Sequence, residues 1–208
     1  MFRWVTKKEY APAKRDVIEL INLVQDEIRD KFTFQFHFIG SVERNMVTMD
    51  EDSNIGYDFD VNIEVNDDDN EYSAAQIRRI LKAGFDKYVH LFQYDPCEDS
   101  TRVLTIKVKD KKHSKILHSV DFAVVNNYGD DQQEYIRFNK KQNTYEWCDQ
   151  PEGYYKQKER IIDLKNNGFW NEVRDTYLDK KNNNPQGKKS RALFAEAVNE
   201  VYLYYFEE

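Results

Sequence analysis

Apolar and polar residues alternate along this chain with two different periods, and the changes of period mark its elements. From about Ala13 to Lys31, Val17, Ile18, Ile21, Val24 and Ile28 recur at three- and four-residue spacing, which predicts an amphipathic helix. Phe32, Phe34, Phe36 and Phe38 then alternate with Thr33, Gln35 and His37, the two-residue repeat of a half-buried strand. That strand runs into Ile39-Gly40-Ser41, and the polar, acidic stretch from Met46 to Ile55 reads as a loop. A second alternation follows: Phe59, Val61, Ile63 and Val65 face one way, and Asp58, Asp60, Asn62 and Glu64 the other.

Asn66 to Asn70 reads as a turn, and Ser73 with Gln76 as a capping box opening a helix through about Leu91, striped by Ile77, Ile80, Leu81 and Phe85. Further strands are expected from Arg102 to Val108 and from His118 to Val125, joined by a basic hairpin turn over Lys109 to His113. A small hairpin is expected from Tyr135 to Trp147 around Asn139–Asn143. Beyond Tyr154 the pattern is helical. One helix carries Ile161, Ile162 and Leu164, a second Trp170, Val173 and Leu178, and a last one runs from about Ser190 to Phe206. This order predicts an α+β fold with a mixed sheet over residues 1–150, followed by a helical C-terminal part, residues 151–208, packed on that core.

Composition changes the picture in three ways. Of 208 residues, 40% are hydrophobic and only 7 are Gly and 4 Pro, enough apolar material for a core and few breakers of long elements. The formal net charge is -7, which disfavours a protein living on general affinity for long nucleic acid. Two distant cysteines, Cys97 and Cys148, and scattered histidines argue against structural zinc and suit a reducing cytoplasm. No apolar run suggests a signal peptide or a membrane span.

The acidic residues supply the candidate chemistry. Asp58 and Asp60, two apart on a strand, share a face, and two close carboxylates repel unless a cation lies between them. An Asp-x-Asp pair alone is common on solvated strands. Asp121 is more telling, because it interrupts the apolar strand Val120 to Val125, where a carboxylate needs a partner. Three carboxylates from two strands would make the oxygen-rich site that Mg²⁺ prefers. Gly40-Ser41 could bring backbone N–H groups and a hydroxyl close to an anion, aided by a helix starting just after Ser41. A rival reading, a calcium loop opening at Asp50, Asp52 and Asn54, fails because Gly56 and Val61 stand where the pattern wants other residues.

Together, Ile39-Gly40-Ser41, Tyr57-Asp58-Phe59-Asp60-Val61 and Val120-Asp121-Phe122 resemble the Gly-Ser, Asp-x-Asp and third-Asp pattern of the DNA polymerase beta nucleotidyltransferase superfamily. The layout is most similar to its oligoadenylate synthetase and cyclic GMP-AMP synthase branch. The resemblance covers about Phe32 to Val125. Sixteen residues separate Ser41 from Asp58, more than is usual in the family, which implies an enlarged loop.

The resemblance implies a polymerase beta-like core and transfer of a nucleoside monophosphate from a triphosphate such as ATP to a hydroxyl, with release of pyrophosphate. Asp58, Asp60 and Asp121 would be the catalytic residues and the ligands of two Mg²⁺ or Mn²⁺ ions, and Gly40 and Ser41 would hold the phosphates. The acceptor could be a small molecule, a nucleotide or a protein. Lys107, Lys165 and Lys188 are candidate triphosphate contacts. Tyr154, Tyr155, Trp170 and Tyr177 could stack on a base, although their helical spacing favours core positions. Two alternatives stay open: a regulatory nucleotide- or metal-binding module of the same fold without turnover, and an acidic interaction domain.

Overall fold

A computed structural model describes residues 1–67, 70–128, 132–151 and 153–207. In chain order the elements are β1 (Phe2–Trp4), α1 (Lys7–Ile28), β2 (Thr33–Ile39), the one-turn helix α2 (Gly40–Glu43), β3 (Thr48–Asp50), β4 (Ile55–Asn66) and α3 (Ala74–Tyr88). A 3-10 turn (Val89–Phe92) leads to β5 (Glu98–Asp99), β6 (Leu104–Asp110), β7 (Lys115–Tyr128), β8 (Gln132–Asn139) and β9 (Thr144–Asp149). The chain ends in α4 (Gly153–Asn166), α5 (Trp170–Asn182) and α6 (Ser190–Phe206). It forms two compact units, Trp4–Gln150 and Pro151–Glu208 joined by Met1–Arg3.

The larger unit is built on a seven-stranded mixed sheet, as the α+β expectation required. Its order is β2-β4-β7-β6-β5, with β8 pairing β7 and β9 pairing β8. β2 runs antiparallel to β4, and β4 parallel to β7. β6 forms a hairpin with β7, closing at Asp110↔Lys115 around the basic turn expected there. β8 joins β7 from Val125 onward, past Phe122, the last residue that β6 reaches. Asn139 Oδ1 accepts hydrogen bonds from the backbone N–H groups of Lys141 and Gln142, fixing the β8–β9 turn.

The alternation read from the sequence divides the sheet faces. Phe59, Val61, Ile63, Val120, Phe122, Val124, Leu104 and Ile106 are buried on one face, in a core shared with α1 and α3. Phe85 of α3 stacks on Phe122 at 4.2 Å between centroids. Gly84 lets α1 and α3 approach, since a Cβ there would lie 2.9 Å from Val24 Cγ1. The capping box expected at α3 is present: Gln76 N–H donates to Ser73 Oγ, and Ser73 N–H to Gln76 Oε1.

Several boundaries differ from expectation, each for a local reason. α1 starts at Lys7, not near Ala13, because Thr6 and Glu9 form a second capping box. Pro12 sits inside the helix early on, where it forgoes one backbone bond. The Met46–Ile55 stretch contains β3, and β4 begins at Ile55, paired to Ile116. Asp50 Oδ1 accepts from Asp52 N–H in the β3–β4 turn, a local Asx bond rather than the start of a calcium loop. In the turn after β4, Asp67 accepts from the N–H groups of Glu71 and Tyr72, while Asp68 and Asp69 lie outside the described residues.

Arg78 is fully buried in α3. Its guanidinium bonds the Asp99 carboxylate and donates to the carbonyls of Ser100, Arg102 and Val103. Tyr145 Oη donates to the other Asp99 oxygen at 2.8 Å, tying α3, the β5–β6 connection and β9 together.

In the smaller unit, Asn182 of α5 pairs with the backbone of Phe2 in both directions. Tyr177 and Phe194 meet edge to face, as do Trp170 and Phe194. Tyr177 is therefore core and Trp170 half-buried, while the side chains of Tyr154 and Tyr155 lie outside the described ones. Among the described residues no helix is long and apolar enough to cross a membrane, and Cys97 and Cys148 are free thiols.

Candidate active site

The face of the sheet opposite α1 and α3 carries the candidate residues in two cross-strand rows. In one row Glu98, Thr105, Asp121, Asp60 and Ile39 are successive partners on β5, β6, β7, β4 and β2. In the next, Lys107, Ser119 and Asp58 are partners on β6, β7 and β4. Paired residues point to the same face, so Asp60 and Asp121 stand side by side with Asp58 one step along.

Gly40 covers Asp60. Ile39 is the register partner of Asp60, and the chain turns at Gly40 with φ +67, a left-handed conformation natural to glycine. A Cβ on Gly40 would lie 2.3 Å from Asp60 Oδ2. The β2–α2 turn and the Asp60 carboxylate are thus fitted to each other, and glycine is required both for space and for φ. Ser41 follows in the same turn, where its carbonyl accepts from Met46 N–H at 2.7 Å. α2 begins at Gly40 itself and lasts one turn, so a sustained helix after Ser41 is not formed.

The electrostatics follow from crowding. Burial, then the like charges of Asp58 and Asp121, push Asp60 up to about 7, against a smaller opposing pull from Arg44. Asp121 is also raised, chiefly by burial and also by Asp58. Thr105 restrains that rise by donating from Oγ1 to Asp121 Oδ1 at 2.5 Å, and Lys107 opposes it by charge. Lys107 is itself paired with Glu98 at 2.6 Å.

Of the candidate phosphate contacts, Lys107 lies on this face. Lys165 rests over the Trp170 ring and Lys188 pairs with Glu196, both within the helical unit. Thr105 and Arg44 were not anticipated from sequence. Alternation alone puts Thr105 on the polar face of β6, but which carboxylate it meets depends on register.

The donor set is all oxygen and carries surplus negative charge, which fits a hard divalent cation such as Mg²⁺. Among the described residues, however, no three His, Cys, Asp or Glu side chains are gathered closely enough to enclose an ion as they stand.

No family model matches the chain, and no curated protein does. Solved structures do match. Vibrio cholerae DncV cyclic AMP-GMP synthase, in complex with the linear intermediate 5' pppA(3',5')pG, has a TM-score of 0.61 at 15% identity, over 90% of this chain and 52% of that one. The Bradyrhizobium diazoefficiens CD-NTase CdnG in complex with GTP has a TM-score of 0.55 at 12% identity, over 75% of this chain and 42% of that one. The fold is that of the CD-NTases. The fold expected from the sequence resemblance is thereby borne out. The GTP-bound form of DncV gives the same TM-score of 0.61 at 15% identity. The chain spans about half the length of the structures it matches.

Proposed function

We propose that this CD-NTase-fold chain is a metal-dependent nucleotidyltransferase. Its acceptor hydroxyl attacks the α-phosphorus of a nucleoside triphosphate, the bond to the bridging oxygen breaks, and pyrophosphate leaves. The observation that carries the reading is the pairing of Asp60 with Asp121 on parallel strands, beside Asp58 and beneath a glycine that fits over Asp60. Asp58, Asp60 and Asp121 hold two Mg²⁺ or Mn²⁺ ions, which when bound neutralise the phosphates and stabilise the entering and leaving oxygens. Asp121 orients the acceptor hydroxyl and takes its proton. Gly40 and Ser41 hold the outer phosphates. The structures of similar fold contain GTP or a linear dinucleotide, and this supports a nucleotide as acceptor over a small molecule or protein. The protein works in the cytoplasm.

Among the described residues the three carboxylates do not enclose an ion as they stand, which keeps one other reading, a regulatory nucleotide-binding module of the same fold without turnover. Incubation with each labelled nucleoside triphosphate and Mg²⁺ or Mn²⁺, beside Asp58→Asn/Asp60→Asn, separates the two. Pyrophosphate release by the unaltered protein and its loss in the variant supports the enzyme. Metal-dependent binding without pyrophosphate release supports the module, and absence of any metal-dependent binding overturns both.

A further inference from the structure

We infer that Thr105 is a positioning residue for Asp121, engaging one carboxylate oxygen so that the other is presented to the cation and the acceptor hydroxyl. The inference rests on the nucleotidyltransferase reading and deepens it. Thr105 and Asp121 are register partners on β6 and β7, and Thr105 Oγ1 donates to Asp121 Oδ1 at 2.5 Å. A carboxylate in the middle of a strand can rotate about its last bond, and each orientation presents different lone pairs. The bond to Thr105 selects one. The half-buried setting strengthens it, because little water competes for Oδ1.

Neighbouring groups explain why a neutral donor stands here. Lys107, two residues along β6, is on the same face but is held by Glu98 at 2.6 Å. A lysine in place of Thr105 would pair with Asp121 and cancel the charge the cation needs. A hydroxyl orients the carboxylate and leaves its charge intact. Asp60, by contrast, is confined by the Gly40 turn against its Oδ2. The two partnered aspartates are thus held by different devices, one steric and one a hydrogen bond.

The test compares Thr105→Val, which keeps shape and strand propensity but removes the donor, with Thr105→Ser, which keeps the donor. Mn²⁺ binding by the full chain is followed by electron paramagnetic resonance, and thermal unfolding checks that both variants fold. Removal of a hydrogen-bonding partner from a metal ligand typically weakens binding by tenfold or more. Thr105→Val is therefore expected to raise the Mn²⁺ dissociation constant roughly tenfold, with Thr105→Ser within about twofold of the unaltered protein. Equal affinity in Thr105→Val and the unaltered protein overturns the inference, as does equal loss in both variants. Asp60→Asn serves as the control. If the unaltered protein binds no Mn²⁺, or Asp60→Asn binds it equally well, the nucleotidyltransferase reading fails, and this inference with it. If only the Thr105 variants behave contrary to expectation, that reading stands and this one falls.

Discussion

Asp60→Asn should stabilise the protein at pH 8 while abolishing metal binding. Burial and two neighbouring carboxylates raise Asp60 from 3.8 to about 7. Each tenfold change in proton affinity is worth about 1.4 kcal/mol, so the ionised side chain disfavours the native state by about 4 kcal/mol above pH 7. The sign follows from proton counts. Between about pH 4 and 7 the native state holds a proton on Asp60 that the unfolded chain has released, so stability falls as pH rises through that window. An asparagine carries no charge, although its amide must find partners, which leaves an expected gain of about 2–4 kcal/mol at pH 8 and little at pH 4. The pH profile of the unaltered protein alone would mislead. His118 is pushed down to about 4 by burial and contributes stability that is lost as pH falls from 6.5 toward 4, opposite in sign to Asp60. The informative quantity is therefore the difference between variant and parent in urea unfolding at pH 4, 6 and 8 without divalent metal. A difference that does not grow between pH 4 and 8 would refute the electrostatic account of this site.

Other expectations follow from single contacts. Gly40→Ala combines a left-handed backbone with a Cβ 2.3 Å from Asp60 Oδ2, so calorimetry should show a loss of about 1–3 kcal/mol together with weakened Mn²⁺ binding. Arg78→Met leaves Asp99 without its buried guanidinium and should cost about 3–5 kcal/mol in urea unfolding. Tyr94→Phe removes the 2.9 Å bond between the Tyr94 hydroxyl and His118 Nε2 and should cost about 1–3 kcal/mol at neutral pH. Added Mg²⁺ should raise the melting temperature more at pH 8 than at pH 5, because protons compete for Asp60 at the lower pH.

The strands of the site were legible because each has one buried face. Phe59, Val61 and Ile63 are fully or almost fully buried, so the alternation that puts Asp58 and Asp60 opposite them is written without interruption. The β6–β7 and β8–β9 turns were legible for the same reason, being polar breaks between alternating runs. Less could be read where a long-range partner decides. Arg78 stands beside Ile77 on α3 and reads as a solvated charge; its burial depends on Asp99 and three carbonyls from about twenty to twenty-five residues away. The start of α1 was missed because the apolar repeat begins only at Val17, while the Thr6–Glu9 capping box upstream sets the true boundary. Thr105 was hidden by register, since alternation assigns its face but not its neighbour.

The same alternation accounts for how a costly cluster can exist at all. The apolar face of β4 and β7 buries Phe59, Val61, Ile63, Val120, Phe122 and Val124 against α1 and α3. At about 1.5–3 kcal/mol for each large apolar side chain, that burial exceeds the roughly 4 kcal/mol by which ionised Asp60 opposes folding. The two strands can therefore carry three carboxylates on one face because the other face holds them together. A cation arriving at the polar face would find Asp60 and Asp121 already paired in register, with only side-chain rotation left to gather them. That predicts a site whose backbone moves little on metal binding. Amide hydrogen exchange should show protection gained at the Gly40–Asn45 turn, whose Gly40 lies against Asp60, and no change along β4 and β7; exchange altered throughout those strands would mean that the metal builds the sheet pairing and does not merely use it.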